Sequence, residues 1–193
     1  MYGDELWYVS FGSNTSESRF RKYLPDWPAA KCGAHDYRRF RRDLTIPHQL
    51  YFAGASAVWE DSSVAFVSLR PDPGSVAYCR AYRVTPGEFC RVITGENGAP
   101  AVPWSDDMIP PDHGGYTELP LHPDGDPRRG KYNAIVRVGT VDGLPAVTLT
   151  TARQLARNAP SARYLATVAA GLGGLAPDGY LAGAVQRSTP IAV

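Results

Sequence analysis

Residues 6–11 alternate aromatic and small side chains before meeting Gly12-Ser13-Asn14, the pattern of a strand that runs into a tight loop. A helix is predicted to follow. Asn14, Thr15 and Ser16 are competent N-caps, Glu17 favours a first turn, and Phe20 and Leu24 share one face before Pro25 stops the helix. Residues 50–53, 64–69 and 76–84 read as strands from their β-branched and aromatic content, with the turn Asp72-Pro73-Gly74 between the last two. Thr85-Pro86-Gly87-Glu88 is a capping box with proline at the first helical position, opening a short helix through Phe89, Val92 and Ile93. Residues 131–139 and 144–150 alternate around Asp142-Gly143 as a hairpin does. Residues 161–172 are helical by composition and end at Gly173-Gly174, and 177–185 add a further turn or two.

Residues 100–129 are proline-punctuated and acidic, with Asp106, Asp107, Asp112, Asp124 and Asp126, and predict a covering flap or a mobile loop. The chain after Gln186 carries no core pattern, so 186–193 reads as a flexible tail. With strands outnumbering helices and no internal repeat, the expectation is one α+β domain over 1–193 with a mostly non-parallel sheet.

Composition narrows the function classes. Twenty Lys and Arg against 19 Asp and Glu give a net charge of +1 over 193 residues, without the basic excess that nucleic-acid or anionic-membrane binding draws on. The run Arg38-Arg39-Phe40-Arg41-Arg42 therefore reads as solvated surface. Cys32, Cys79 and Cys90 are odd in number and widely spaced, which argues against a disulfide framework or a thiolate zinc site. No apolar run reaches the roughly 18 residues that span a bilayer, and a cytoplasmic location is expected.

His35, His48, His113 and His122 sit at no ligand spacing, and no metal is expected. Ser13 invites a nucleophile reading, although Gly-Ser-Asn lacks the second glycine of a nucleophile elbow and no His–Asp partner is evident. The turn itself has another use. A strand passing through Gly12-Ser13-Asn14 into a helix presents backbone N–H groups to a carboxylate or a developing oxyanion, unless it is a plain connection. Glu60 and Asp61 are adjacent, so on a strand they face opposite ways and make no acid–base pair.

The block Trp7-Tyr8-Val9-Ser10-Phe11-Gly12-Ser13-Asn14 resembles the Tyr-Gly-Ser-Asn loop after the first strand of γ-glutamylcyclotransferase-like proteins. Further blocks follow in that family's order: Leu50 to Ser56 with Trp59, of actinobacterial type; Thr85 to Phe89 with Gly95-Glu96-Asn97; Asp142-Gly143-Leu144-Pro145; and Pro160-Ser161-Ala162-Arg163-Tyr164 with Gly171. Departures are Phe11 for the usual Tyr, Thr15 for Leu or Met, and Glu60-Asp61-Ser62 in place of glycines. The resemblance implies a mixed, mostly antiparallel sheet curled into a small barrel flanked by helices. It also implies cleavage of a γ-glutamyl amide, by cyclisation to 5-oxoproline with release of an amine, as in a biosynthetic deprotection step. Glu96 would be the catalytic acid and base, Phe11, Gly12, Ser13 and Asn14 would bind substrate, and Tyr164 would line the pocket. No cofactor is implied, and the partner is a small γ-glutamyl substrate. Two alternatives stand beside this reading: a non-catalytic carboxylate-binding protein on the same fold, and a Ser13-dependent amidohydrolase.

Overall fold

Strand β1 (Leu6–Ser10) is buried along its whole length, because β5 (Ala77–Val84) pairs with it antiparallel on one side and β8 (Leu144–Thr150) parallel on the other. The computed structural model describes residues 5–28, 37–121 and 130–189. With β2 (Arg41–Ile46), β6 (Tyr116–Glu118) and β7 (Ala134–Val141) the large sheet runs β2-β5-β1-β8-β7-β6, and its other neighbours are antiparallel. A second, two-stranded sheet pairs β3 (Leu50–Ser56) with β4 (Ser62–Val67). The fold is α+β and mostly antiparallel, as the sequence predicts. No ladder closes it into a barrel among the described residues. The hairpin is tied to the large sheet by a side chain: the Thr150 hydroxyl donates to the Val67 carbonyl at 2.6 Å and accepts its N–H at 3.2 Å.

Among the described residues four helices flank the sheets: α1 (Glu17–Phe20), α2 (Pro86–Asn97), α3 (Ala162–Leu172) and α4 (Tyr180–Ser188). The capping box of α2 is present, with Thr85 accepting from the Glu88 amide at 3.2 Å and Glu88 accepting from the Thr85 amide at 2.7 Å. The Asp142-Gly143 turn has positive φ at both residues, 49° and 78°, as a two-residue hairpin requires. Phe20 stacks on Tyr82 at 3.9 Å between ring centroids, and Trp27 meets both rings edge-on. This aromatic cluster covers one face of the central strands.

Several expectations are corrected. The helix predicted after residue 14 is a 3-10 turn, Ser13–Thr15, followed by the single turn of α1. Its capping side chains are engaged elsewhere: the Thr15 hydroxyl bonds the Gly12 carbonyl at 2.8 Å and the Asn14 amide leaves the helix altogether. Part of the basic run forms β2, an edge strand whose Arg41 and Arg42 pair with Glu17 and Asp142, and such charges blunt edge-to-edge association. In the 100–129 segment, Met108, Ile109, Leu119 and Leu121 are buried and β6 joins the sheet, so this part is core rather than flap. Helix α4 continues to Ser188, inside the predicted tail, because the buried Ser188 hydroxyl accepts the Phe52 amide at 2.8 Å. Glu60 and Asp61 lie in a turn with φ of 63° and 52°, not on a strand. Cys32, His35, His122, Asp124, Asp126 and 190–193 lie outside the described residues. Among the described residues no helix is long and apolar enough to cross a membrane.

Helix α3 reaches the 13–15 turn through Gly171, where an added Cβ would stand 2.3 Å from the Ser16 nitrogen and 2.5 Å from the Thr15 carbonyl carbon. Backbone cannot move aside as a flexible side chain can. Gly171→Ala is expected to lower stability by about 1–3 kcal/mol, the usual cost of overpacking, seen as a fall in the urea midpoint at constant m-value. An unchanged midpoint would show that the turn is not held by this contact.

Candidate active site

Beyond Ser10 the central strand turns at Gly12, and the turn is pinned from behind. A Cβ at Gly12 would lie 2.9 Å from the Tyr164 hydroxyl and 3.3 Å from Ala65 Cβ, so only glycine permits the approach. The Tyr164 hydroxyl accepts the Ala65 amide at 2.9 Å and also takes a backbone hydrogen bond from Ser13. Tyr82 donates to the Asn14 carbonyl at 2.7 Å. The Thr15 and Ser16 amides close onto Gly12 and Ser13 carbonyls. The turn was expected to present a set of free donors. Ser13, Thr15 and Ser16 amides are instead used in holding it, while the Asn14 backbone N–H precedes the first donor of the 3-10 turn, Thr15, and has no partner within it.

Glu96 arrives from the last turn of α2. Asn14 Nδ2 donates to Glu96 Oε1 at 2.5 Å and to the Tyr8 hydroxyl at 3.2 Å, joining loop, strand and helix through one side chain. The Tyr23 hydroxyl, which accepts from Arg19 Nη2 at 3.5 Å, also favours the ionised form of the carboxyl. Gly95 makes room for it, since a Cβ there would lie 2.3 Å from the Tyr23 ring. That explains a glycine where helix propensity disfavours one by about 1 kcal/mol. Asn97, next in sequence, is buried and clamps Tyr132, accepting its amide at 2.8 Å and donating to its carbonyl at 3.2 Å.

These elements frame a small cleft, partly open to solvent and lined by Tyr8, Ser10, the 11–14 turn, Glu96, Tyr132 and Leu149. Burial among protein atoms pushes the Glu96 carboxyl above its ordinary value, against the opposing pull of Lys131, Arg19, Asn14 and Tyr23. Burial likewise lowers the Lys131 ammonium and raises the Tyr8 and Tyr132 phenols. Such a carboxyl, protonated more readily than a solvated one yet still ionisable, can take a proton from a substrate and return it to a leaving group.

The structure brings Phe11, Gly12, Ser13, Asn14 and Glu96 to one cleft. Tyr164 is not part of the lining. It is buried behind the turn, its hydroxyl consumed by Ala65 and Ser13. Phe11 lacks a hydroxyl, and Tyr8, three residues earlier, supplies one to the cleft instead. Of the described histidines, His48 faces the Ser68 carbonyl at 2.6 Å and His113 the Val138 carbonyl at 2.7 Å; neither lines the cleft beside Ser13. Sequence reasoning missed Tyr8, Arg19, Tyr23, Lys131 and Tyr132. The period of two along β1 could have found Tyr8, which shares a strand face with Ser10; nothing local marks the others. Among the described residues no group of three His, Cys, Asp or Glu side chains converges as a metal site would.

No protein-family profile matches the chain. It is 28% identical over 160 residues to histone deacetylase 5 of Arabidopsis thaliana, an alignment covering 76% of this chain. The chain spans 23% of the length of that relative. Among solved structures, a gamma-glutamyl cyclotransferase superposes with a TM-score of 0.54 over 98% of this chain and 90% of that one, at 12% identity. The crystal structure of an uncharacterized protein from Homo sapiens superposes with a TM-score of 0.53, over 99% of this chain and 92% of that one, at 14% identity. The fold is thus of the γ-glutamylcyclotransferase type.

A carboxyl with a folded-state pKa above its unfolded value binds its proton more tightly in the native protein, so ionising it opposes folding. Glu96→Gln is therefore expected to raise Tm at neutral pH. The gain should shrink as pH falls through the raised native pKa and vanish below the unfolded value, where both side chains are neutral. A Tm difference independent of pH between 4 and 8 would contradict this electrostatic account of the site.

Proposed function

We propose that the protein is a γ-glutamylcyclotransferase-type enzyme that converts a γ-glutamyl amide to 5-oxoproline and a free amine without a cofactor. The observation that carries the reading is the half-buried Glu96 carboxyl, held 2.5 Å from Asn14 at the turn that ends the central strand. The likeness in fold to a solved gamma-glutamyl cyclotransferase supports it. Fold alone fixes no activity, so the chemistry has to follow from the residues.

In the proposed reaction the ionised Glu96 carboxylate takes a proton from the substrate α-ammonium, and the freed amine attacks the γ-carbonyl of the same molecule. A C–N bond forms as the five-membered ring closes, and the carbonyl oxygen becomes an oxyanion. The Asn14 amide, which has no partner within its 3-10 turn, is the donor available to that oxygen. Glu96 then returns its proton to the leaving nitrogen, the original amide bond breaks, and the second proton of the ring nitrogen passes to the departing amine, so that 5-oxoproline, with a neutral lactam nitrogen, and an ammonium ion depart. Both reacting groups belong to one chain, so a small cleft that keeps the glutamyl group curled supplies the proximity. A cleft this small and partly open to solvent would admit only a compact acyl half, leaving the amine half outside. Asn14 holds the carboxyl while Tyr164 holds the turn, making Asn14 a substrate-side residue and Tyr164 a positioning one. The Ser13 amidohydrolase reading has no histidine to activate the serine among the described residues lining the cleft, and carboxylate capture without turnover is the outcome that the assays below would reveal.

Glu96→Gln keeps the shape of the site and removes the proton carrier, so kcat on a verified γ-glutamyl amide should fall about 10²- to 10⁴-fold. The wild-type rate should itself decline as pH drops through the raised pKa of Glu96, because the base must be ionised. Retention of wild-type kcat in the variant would end the assignment. In labelled water, cyclisation puts no solvent oxygen into the product, whereas hydrolysis puts one into glutamate. Unlabelled 5-oxoproline and complete resistance of N-acetylated substrates are expected; labelled glutamate as the first product, or cleavage of an N-acetylated substrate, would rule the mechanism out.

A further inference from the structure

Two cations near Glu96 take no part in the proton transfers. Lys131 is 8% exposed, and its hydrogen-bond partner is the Ser56 hydroxyl, at a long 3.4 Å. Arg19, on α1, lies 5.4 Å over the Trp59 ring and 5.7 Å over the Tyr23 ring, and its Nε is buried without a hydrogen-bond partner. Among the described residues neither belongs to an ion pair. Both act electrostatically on Glu96 and on each other. They come from different elements, Arg19 beside the 13–15 turn and Lys131 just ahead of β7; Arg19 lies over Tyr23, whose ring packs on Gly95, and Lys131 lies beside Tyr132, which lines the cleft with Glu96.

The charges do not balance. One carboxylate faces two cations, and that carboxylate is neutral during part of the proposed cycle. A buried ammonium without a counter-ion opposes folding, and lysine is almost never found so enclosed unless paired. Trp59 and Tyr132 pack against the two side chains, with Arg19 5.4 Å from the Trp59 ring centroid and Lys131 Nζ 5.9 Å from the Tyr132 ring centroid. We infer that Arg19 and Lys131 form an anion subsite beside Glu96 that binds a carboxylate of the substrate and completes the charge balance of the cleft. This rests on the cyclotransferase reading for the identity of the substrate. The carboxylate has two possible sources, the α-carboxylate of the glutamyl half or a carboxylate carried by the amine half.

Two matched pairs separate the sources. Calorimetry compares 5-oxoproline with 2-pyrrolidinone, the same lactam without its carboxylate, and kinetics compares γ-glutamyl-alanine with γ-glutamyl-ethylamide, which lacks the carboxylate of the amine half. The wild type should prefer the carboxylate-bearing member of at least one pair by about 10- to 100-fold, the range of one or two charge-assisted hydrogen bonds. Lys131→Met and Arg19→Gln should each erase most of that preference. Discrimination in the first pair assigns the α-carboxylate, and discrimination in the second assigns the amine half. Lys131→Met should fold with an unchanged or higher Tm, because it removes a buried unpaired charge, so lost preference there is not lost structure. No preference in either pair, or a preference that survives both substitutions, would overturn the subsite. Absence of 5-oxoproline from every γ-glutamyl amide would sink the reaction alone, since the calorimetric pair tests the subsite without turnover.

Discussion

The hydrogen bond from Asn14 to Glu96 is the constraint around which the site is arranged. A half-buried carboxyl still needs donors on its inner side, because an unsatisfied buried acceptor costs more than a made hydrogen bond returns. Asn14 supplies one at 2.5 Å, and the Tyr23 hydroxyl favours the ionised form. Spending the Asn14 side chain in this way denies it to the helix that follows, and the chain responds with a 3-10 turn and a four-residue helix. Local structure yields here to a tertiary demand.

Two glycines make that arrangement possible from opposite sides. Gly12 admits the Tyr164 hydroxyl to the back of the turn, and Gly95 admits the Tyr23 ring to the end of α2. Both need the missing Cβ. Tyrosine hydroxyls recur for a related reason. Strand β4 belongs to a two-stranded sheet, and the Ala65 amide and carbonyl bond the hydroxyls of Tyr164 and Tyr132. The small sheet is thereby fastened to the residues that frame the cleft, and a shift of one carries the other.

Electrostatics follow from the same enclosure. Burial raises the carboxyl and lowers the ammonium of Lys131, bringing two groups of opposite sign toward their neutral forms in one confined volume. Sites that perform proton transfer commonly use environments of this sort. Stability is given up for it, which is consistent with a site kept for chemistry rather than for packing.

Periodicity and turn chemistry determined most of the fold from the sequence alone. Alternation marks β1, β5, β7 and β8, the capping box marks the start of α2, and Asp-Gly marks the hairpin; each is a signal confined to a few neighbouring residues. The order of blocks pointed to the 11–14 turn and Glu96. Tertiary structure alone decided the rest. Strand β2 and the buried part of the 100–121 segment carry charges or prolines, and only neighbouring strands show that they belong to the sheet and core. Tyr164 was expected in the pocket wall, yet its hydroxyl turns to Ala65 and Ser13 because Gly12 leaves space behind the turn. Arg19, Tyr23 and Lys131 lie far apart in sequence, in contexts that look like ordinary surface. Their convergence on Glu96 exists only once α1, α2 and the approach to β7 have packed, since burial and electrostatic proximity are properties of the folded chain and leave no local imprint on the sequence.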